Sequence, residues 1–155
     1  MTSTLTAATM TVTLTESIEL NGTNQGATNT LEIASIAEVS KRIVNIPTSE
    51  VEVVAMATAV ASGTFIESTV KYIRLTNKDD TNHITLTFKD EDATEVALLL
   101  DKGQSFIYNG DLAGGVVNTM HAGGSALTVS LNDLVNITAL ADTAACDLEI
   151  FVAST

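Results

Sequence analysis

The side chains able to do acid–base or nucleophilic chemistry are few. The 155 residues hold two histidines, His83 and His121, one cysteine, Cys146, and no tryptophan. Nucleophilic catalysis needs a nucleophile beside a base, with the base oriented by a third group. His83 stands on the threonine side of His83-Ile84-Thr85-Leu86-Thr87-Phe88-Lys89, which marks it as a half-exposed surface residue. His121 precedes Ala122-Gly123-Gly124 and falls in a loop. No Gly-x-Ser-x-Gly elbow occurs. Cys146 keeps phase with Leu148, Ile150 and Val152, and its neighbours Ala145 and Asp147 bring no cation to lower a thiol pKa. It reads as a small buried hydrophobe. The expectation is a protein without catalytic residues, not an enzyme.

Metal and cofactor chemistry fares no better. Zinc takes three or four His, Cys or carboxylate ligands, and these two histidines lie far apart with no ligand motif beside either. Calcium needs several oxygens from one loop. Asp79-Asp80 and Lys89-Asp90-Glu91-Asp92 supply oxygens but lack the glycine and terminal glutamate spacing of an EF-hand, so they read as solvated turns. Ala113-Gly114-Gly115 and Ala122-Gly123-Gly124 follow neither phosphate-binding glycine pattern. No metal and no cofactor is expected. Asn21-Gly22-Thr23 and Asn136-Ile137-Thr138 match the glycosylation pattern, but the N-terminus has neither the basic nor the apolar region of a secretory signal.

Charge bounds the partners. Nineteen acids against seven bases leave a formal charge of −12 and a pI near 4.2. Phosphate backbones and anionic lipid surfaces both require clustered Lys and Arg, so neither nucleic acid nor membrane is an expected partner. No apolar run approaches the ~20 residues of a spanning helix. At 45% hydrophobic residues the chain is too apolar for disorder.

The elements that must carry these residues are strands. From Thr9 to Leu20 the even positions Met10, Val12, Leu14, Ile18 and Leu20 are apolar, and the odd positions are Thr9, Thr11, Thr13, Thr15, Ser17 and Glu19. Only Glu16 breaks the apolar face. Alternation with period two marks a strand with one buried face and, here, a threonine ladder on the other. Ile84, Leu86 and Phe88 repeat the pattern, as do Leu127, Val129 and Leu131, and Cys146 through Val152. Val51 to Met56 and Val96 to Leu100 are apolar on both sides, as central strands or strands covered by a partner would be. A short strand is expected over Val116 to Met120, and a strand or loop over Ala55 to Ser62.

Turn chemistry separates the runs at Asn21-Gly22, at Asn77 to Asp80, at Asp90-Glu91-Asp92, at Asp101-Lys102-Gly103 and at Asn109-Gly110-Asp111. Lys71 to Tyr108 therefore reads as consecutive antiparallel strands joined by tight acidic turns. Pro47, the one proline, closes the run from Lys41 to Ile46. The fold class is all-β: an antiparallel β-sandwich or jelly-roll-like barrel of about 8–10 short strands, with an extended N-terminal arm or strand. Residues 1–9 form the arm and residues 10–155 one sandwich domain. Tyr72, Phe88, Phe106 and Tyr108 fall within or near apolar runs and belong to the core. Phe151 is out of phase with its strand's apolar face, so it meets a second layer or a partner subunit.

Arg74-Leu75-Thr76-Asn77, Asp79-Asp80-Thr81-Asn82 and Gly103-Gln104-Ser105-Phe106-Ile107, all within residues 70–110, resemble a pattern in small structural proteins of tailed bacteriophages, marine ones in particular. The opening LTESIELNGTNQG and the closing ITALADTAACDLEIFVAS are similar in style. The resemblance is specific over about a third of the chain. It implies a β-sandwich virion protein and brings no catalytic residues. On that footing the expected function is a capsid decoration, or cement, protein, bound outside the phage shell and stabilising it. Its partners would be the major capsid protein and itself, as a homo-oligomer with a trimer favoured. A tail, adaptor or fibre-associated component is the alternative, and a small ligand-binding sandwich the second. Thr9, Thr11, Thr13, Thr15 and Phe151 are the expected partner-facing residues.

Overall fold

A computed structural model describes residues 4–110, 115–117 and 132–155. Thirteen strands run through them, with one 3-10 turn at Glu67–Thr69 and no α-helix among the described residues. A ribbon comes first: β1 (Ala8–Thr15) pairs antiparallel with β4 (Thr28–Ile36), and the small hairpin of β2 (Glu19–Leu20) and β3 (Thr23–Asn24) lies between them. Nine strands then build two facing sheets. One has the order β10 (Glu95–Leu100), β9 (Ile84–Asp90), β12 (Leu134–Ala141), β6 (Val51–Ala57), β7 (Thr64–Ile66). The other has the order β11 (Ser105–Asn109), β8 (Val70–Asn77), β13 (Cys146–Ser154), β5 (Glu38–Ile46). All pairs are antiparallel except β6 with β7. The architecture is an open sandwich and not a closed barrel.

Alternation explains what lies between the sheets. Ile73 and Leu75 of β8 and Leu148, Ile150 and Val152 of β13 face Ile84, Leu86 and Phe88 of β9 and Ile137 and Ala139 of β12 in one buried cluster. Phe88, Phe106 and Tyr108 pack mutually within it, with ring centroids 5.0–6.0 Å apart. Burial pushes the Tyr108 phenol up to about 12. Pro47 follows the last residue of β5, as its missing N–H requires. Residues after Ala57 leave the sheet as a loop, within the expected range.

Several expectations shift. The turn regions around Asn77 and Asp101 are corners as well as turns, because β8 and β11 pair in one sheet while β9 and β10 pair in the other. The buried Asn77 side chain pins one corner: its Nδ2 donates to the carbonyls of Asn82 and Leu100, and its Oδ1 accepts from the Asp79 N–H. Asp90 is not a solvated turn residue. It is 4% exposed, and its carboxylate accepts from the Asp92 and Thr94 N–H groups and from Asn132 Nδ2. The strand Val96 to Leu100 is an edge, not a centre, and leaves Val96 and Leu99 exposed. Val116 and Val117 are buried but stand in a turn. Residues 118–120, His121, and the alternation of Leu127, Val129 and Leu131 lie outside the described residues.

A candidate assembly face

The four-stranded sheet is covered on both sides. Its inner face meets the other sheet, and its outer face carries Tyr72, Arg74 and Thr76 of β8, Glu149, Phe151 and Ala153 of β13, Lys41 of β5 and Ile107 of β11. The register places them there: Phe151 opposes Arg74 and Lys41, and Arg74 opposes Ile107. Where β4 runs into β5 the chain bends, with Ser35 at a φ of 63°, and Ala37 donates its N–H to the Ser154 carbonyl. This bend lays the ribbon on the outer face. Ile33 and Ile36 of β4 are buried there with Tyr72 and Ala153, and Met10, Val12, Leu31 and Phe151 pack against them.

Beside this cluster sits a charged network. Glu149 Oε1 accepts from Arg74 Nη2 at 2.6 Å, and Lys41 Nζ stands 3.3 Å from Glu149 Oε2. Arg74 Nη1 donates to Thr76 Oγ1, which shares a hydrogen bond with Ser105. Arg74 lies over the Phe151 ring, 5.8 Å from its centroid, and Phe151 meets Tyr72 edge to face. The Arg74 hydrogen bond, helped by Lys41 and opposed by burial, holds the Glu149 carboxyl below the usual carboxylate range. Sequence reasoning met Arg74 and Ile107 only within the phage-like segments and gave no role to them, to Glu149 or to Lys41. A signal was present: the closing strand reads Leu148-Glu149-Ile150-Phe151-Val152-Ala153, with little polar alternation, as strands covered on both faces do.

The ribbon does not fill the outer face. β1 pairs with β4 alone, so its other edge is unpaired among the described residues. Between the ribbon and the sheet run two adjoining open grooves of about 310 and 350 Å³. Met10, Val12 and Leu14 face Tyr72, Ile107 and Phe151 across them, and Asn29, Thr30, Asn109 and Arg74 line them as well. The expected partner-facing residues divide here. Thr9, Thr11, Thr13 and Thr15 lie along exposed β1, with Thr15 and Thr28 hydroxyls 3.3 Å apart across the ribbon. Phe151 is half-buried under its own ribbon, the second-layer alternative. The single long strand expected from Thr9 to Leu20 stops at Thr15, just before the pattern-breaking Glu16, whose N–H donates to Ala27. Leu14, Ile18 and Leu20 are therefore about half exposed, at 51%, 49% and 53%, rather than buried along one face.

Among the described residues, His83, Asp142, Cys146 and Asp79 lie near one another. His83 precedes β9, with Nδ1 3.6 Å from Asp142 Oδ2 at the surface. Cys146 is buried, its Sγ 3.4 Å from the Ala144 carbonyl and 3.9 Å from that of His83. Burial first, and then the nearby Asp79, pushes its thiol up, away from the reactive thiolate. Asp79 spends its carboxylate on the N–H groups of Thr81 and Asn82. Among the described residues no group of three or more His, Cys, Asp and Glu side chains is placed to hold a metal.

No protein-family model matches this sequence, and no curated protein does. Among solved structures, the chain is similar to one from Bacillus endospore appendages, described as a novel family of disulfide-linked pili. The two share 14% identity over 76% of this chain and 85% of that one, at a TM-score of 0.42. A similarity of that size does not carry function.

Proposed function

We propose that this protein is a non-enzymatic, self-associating structural component of a virion, most concretely a decoration protein on the outside of a tailed-phage shell. The observation that carries the structural part is the ribbon. Among the described residues, an acidic chain presents an unpaired strand edge with no charged residue from Ala8 to Thr15, above a groove lined by both apolar and uncharged polar side chains. Isolated proteins blunt such edges with charge, proline or cover. A subunit of a large assembly keeps them for its neighbours. The placement on a virion comes from the phage-like segments between residues 70 and 110, and weak contacts repeated over many symmetric copies would give firm attachment.

The test is the copy number of this polypeptide per purified particle. Hundreds of copies, in a fixed ratio to the major shell protein, support decoration. A count near three, six or twelve moves the protein to the tail, and absence from particles overturns the virion reading. Binding to purified shells lacking the protein provides the second measurement.

A further inference from the structure

Two grooves border β1, whose second edge is unpaired among the described residues, and a short uncharged segment precedes it. Residues 4–7 precede β1, belong to no strand and are exposed, with Leu5 at 71%. Although 17% of the chain is charged, the first charged residue is Glu16. The arm that ends at Ala7 and the edge of β1 are thus both neutral in a molecule of charge −12. Two copies repel through most of their surfaces, and these segments are where they can meet without that repulsion.

The other sheet edges among the described residues are less suited to accept a strand. β4, whose far edge is also unpaired, carries Glu32; β5 carries Glu38, Lys41 and Arg42, β10 carries Glu95 in an ion pair with Lys89, and β7 and β11 have three and five residues. Residues 1–9, MTSTLTAAT, contain no Gly, Asn or Asp, the residues that two-residue hairpin turns favour.

We infer that the arm of one copy adds as a strand to the free edge of β1 in the next copy, placing Leu5 in the groove between Leu14 and Ile107. This rests on the assembly reading above and specifies its contact. The interface is heterologous, with donor and acceptor on different surfaces, so repetition closes a ring such as a trimer or runs on as a filament.

The experiment uses the full chain in sedimentation velocity and light scattering over a concentration series. The unaltered protein is expected to associate. Leu5→Asp removes the donor and Ile107→Glu blocks the acceptor, each weakening association about tenfold to hundredfold with an unchanged melting temperature. Leu14→Asp is a second acceptor variant should Ile107→Glu fold poorly. Val60→Asp, at an exposed residue away from the groove, leaves association intact. An equimolar mixture of the Leu5→Asp and Ile107→Glu chains has one good arm and one good acceptor per pair, so it forms heterodimers and nothing larger. Three outcomes overturn the inference: a monomeric unaltered chain, association that survives both variants, or a mixture that stays monomeric. Particle copy number is read separately. Hundreds of copies with a monomeric free chain sinks the arm exchange and leaves decoration standing; association without particle incorporation does the reverse.

Discussion

The sandwich interior and the cluster under the ribbon are both apolar, yet they are closed in different ways. The interior is sealed by two sheets whose strands pair over many residues, so Ile73, Leu75, Ile84, Leu148 and Ile150 are 0–1% exposed. The outer cluster is sealed by a two-stranded ribbon that holds Ile33, Ile36, Tyr72 and Ala153 but leaves Met10, Val12, Leu31 and Phe151 partly exposed. A two-stranded ribbon has little stability of its own and depends on the face it lies on. The interior therefore defines the fold, while the outer cluster is only as firm as the ribbon that lies on it.

The neighbouring residues Ile150 and Phe151 point to opposite sides of β13 and give the sharpest contrast. Ile150→Ala leaves a cavity between two sheets that cannot collapse onto it, and should lower the unfolding free energy by about 2–5 kcal/mol. Phe151→Ala removes a larger ring from a site that the ribbon can settle into, and should cost about 1–3 kcal/mol. Urea denaturation of both variants reads the difference. Equal losses, or a larger one for Phe151→Ala, would make the ribbon as firm a covering as the second sheet.

Glu149 tests the polar side of the outer cluster. Replacing it by Gln leaves Arg74 facing a neutral amide in a poorly solvated place and should cost about 1–3 kcal/mol near neutral pH. Arg74 and Lys41 hold the folded carboxyl below its ordinary value, so the folded state binds this proton more weakly than the unfolded chain does. The stabilisation is fully present above the unfolded value of about 4.3 and is lost as pH falls through the lower folded one. Stability measured from pH 7 to pH 3 should fall less steeply in Glu149→Gln. Identical acid limbs would remove Glu149 from the account.

Cys146 returns the comparison to the interior. Cys146→Ser places a hydroxyl where a buried sulfur sits and should cost about 1–2 kcal/mol. A thiol reagent should leave the native protein unmodified and react on denaturation. Rapid labelling of the folded chain would contradict both its burial and the upward push on its thiol.

What the sequence reveals follows the same division. Alternation identified β9 and β13 and the phase of Cys146, Leu148, Ile150 and Val152, because one apolar face per strand is a local signal. The out-of-phase Phe151 pointed to a second layer or a partner on β13 but not to which, since the cover, Ile33 and Ile36, comes from over a hundred residues earlier through a bend at Ser35. Nor did alternation show that the Thr9–Leu20 pattern ends at Thr15. An apolar residue every second position marks a possible strand, but pairing with β4 decides how far it extends. The threonines assigned to a partner face do lie on an exposed strand. The neighbouring groove needed Tyr72 and Ile107, which meet β1 only in three dimensions.

The smallest effect belongs to the ribbon's tip. Asn21 and Gly22 adopt φ angles of 51° and 76°, the two left-handed positions of a tight hairpin turn that suits right-twisted strands. A Cβ on Gly22 would meet nothing within 4 Å, so Gly22→Ala tests backbone conformation without a steric clash. The cost should be about 1 kcal/mol or less. Because the β2–β3 hairpin packs on neither sheet of the sandwich, that cost should fall on the ribbon alone. Amide exchange should quicken from Glu19 to Asn24 and stay unchanged in β8 and β13. If exchange in the central strands quickened as well, the tip would be coupled to the sandwich, and the ribbon would have to be counted as part of the core.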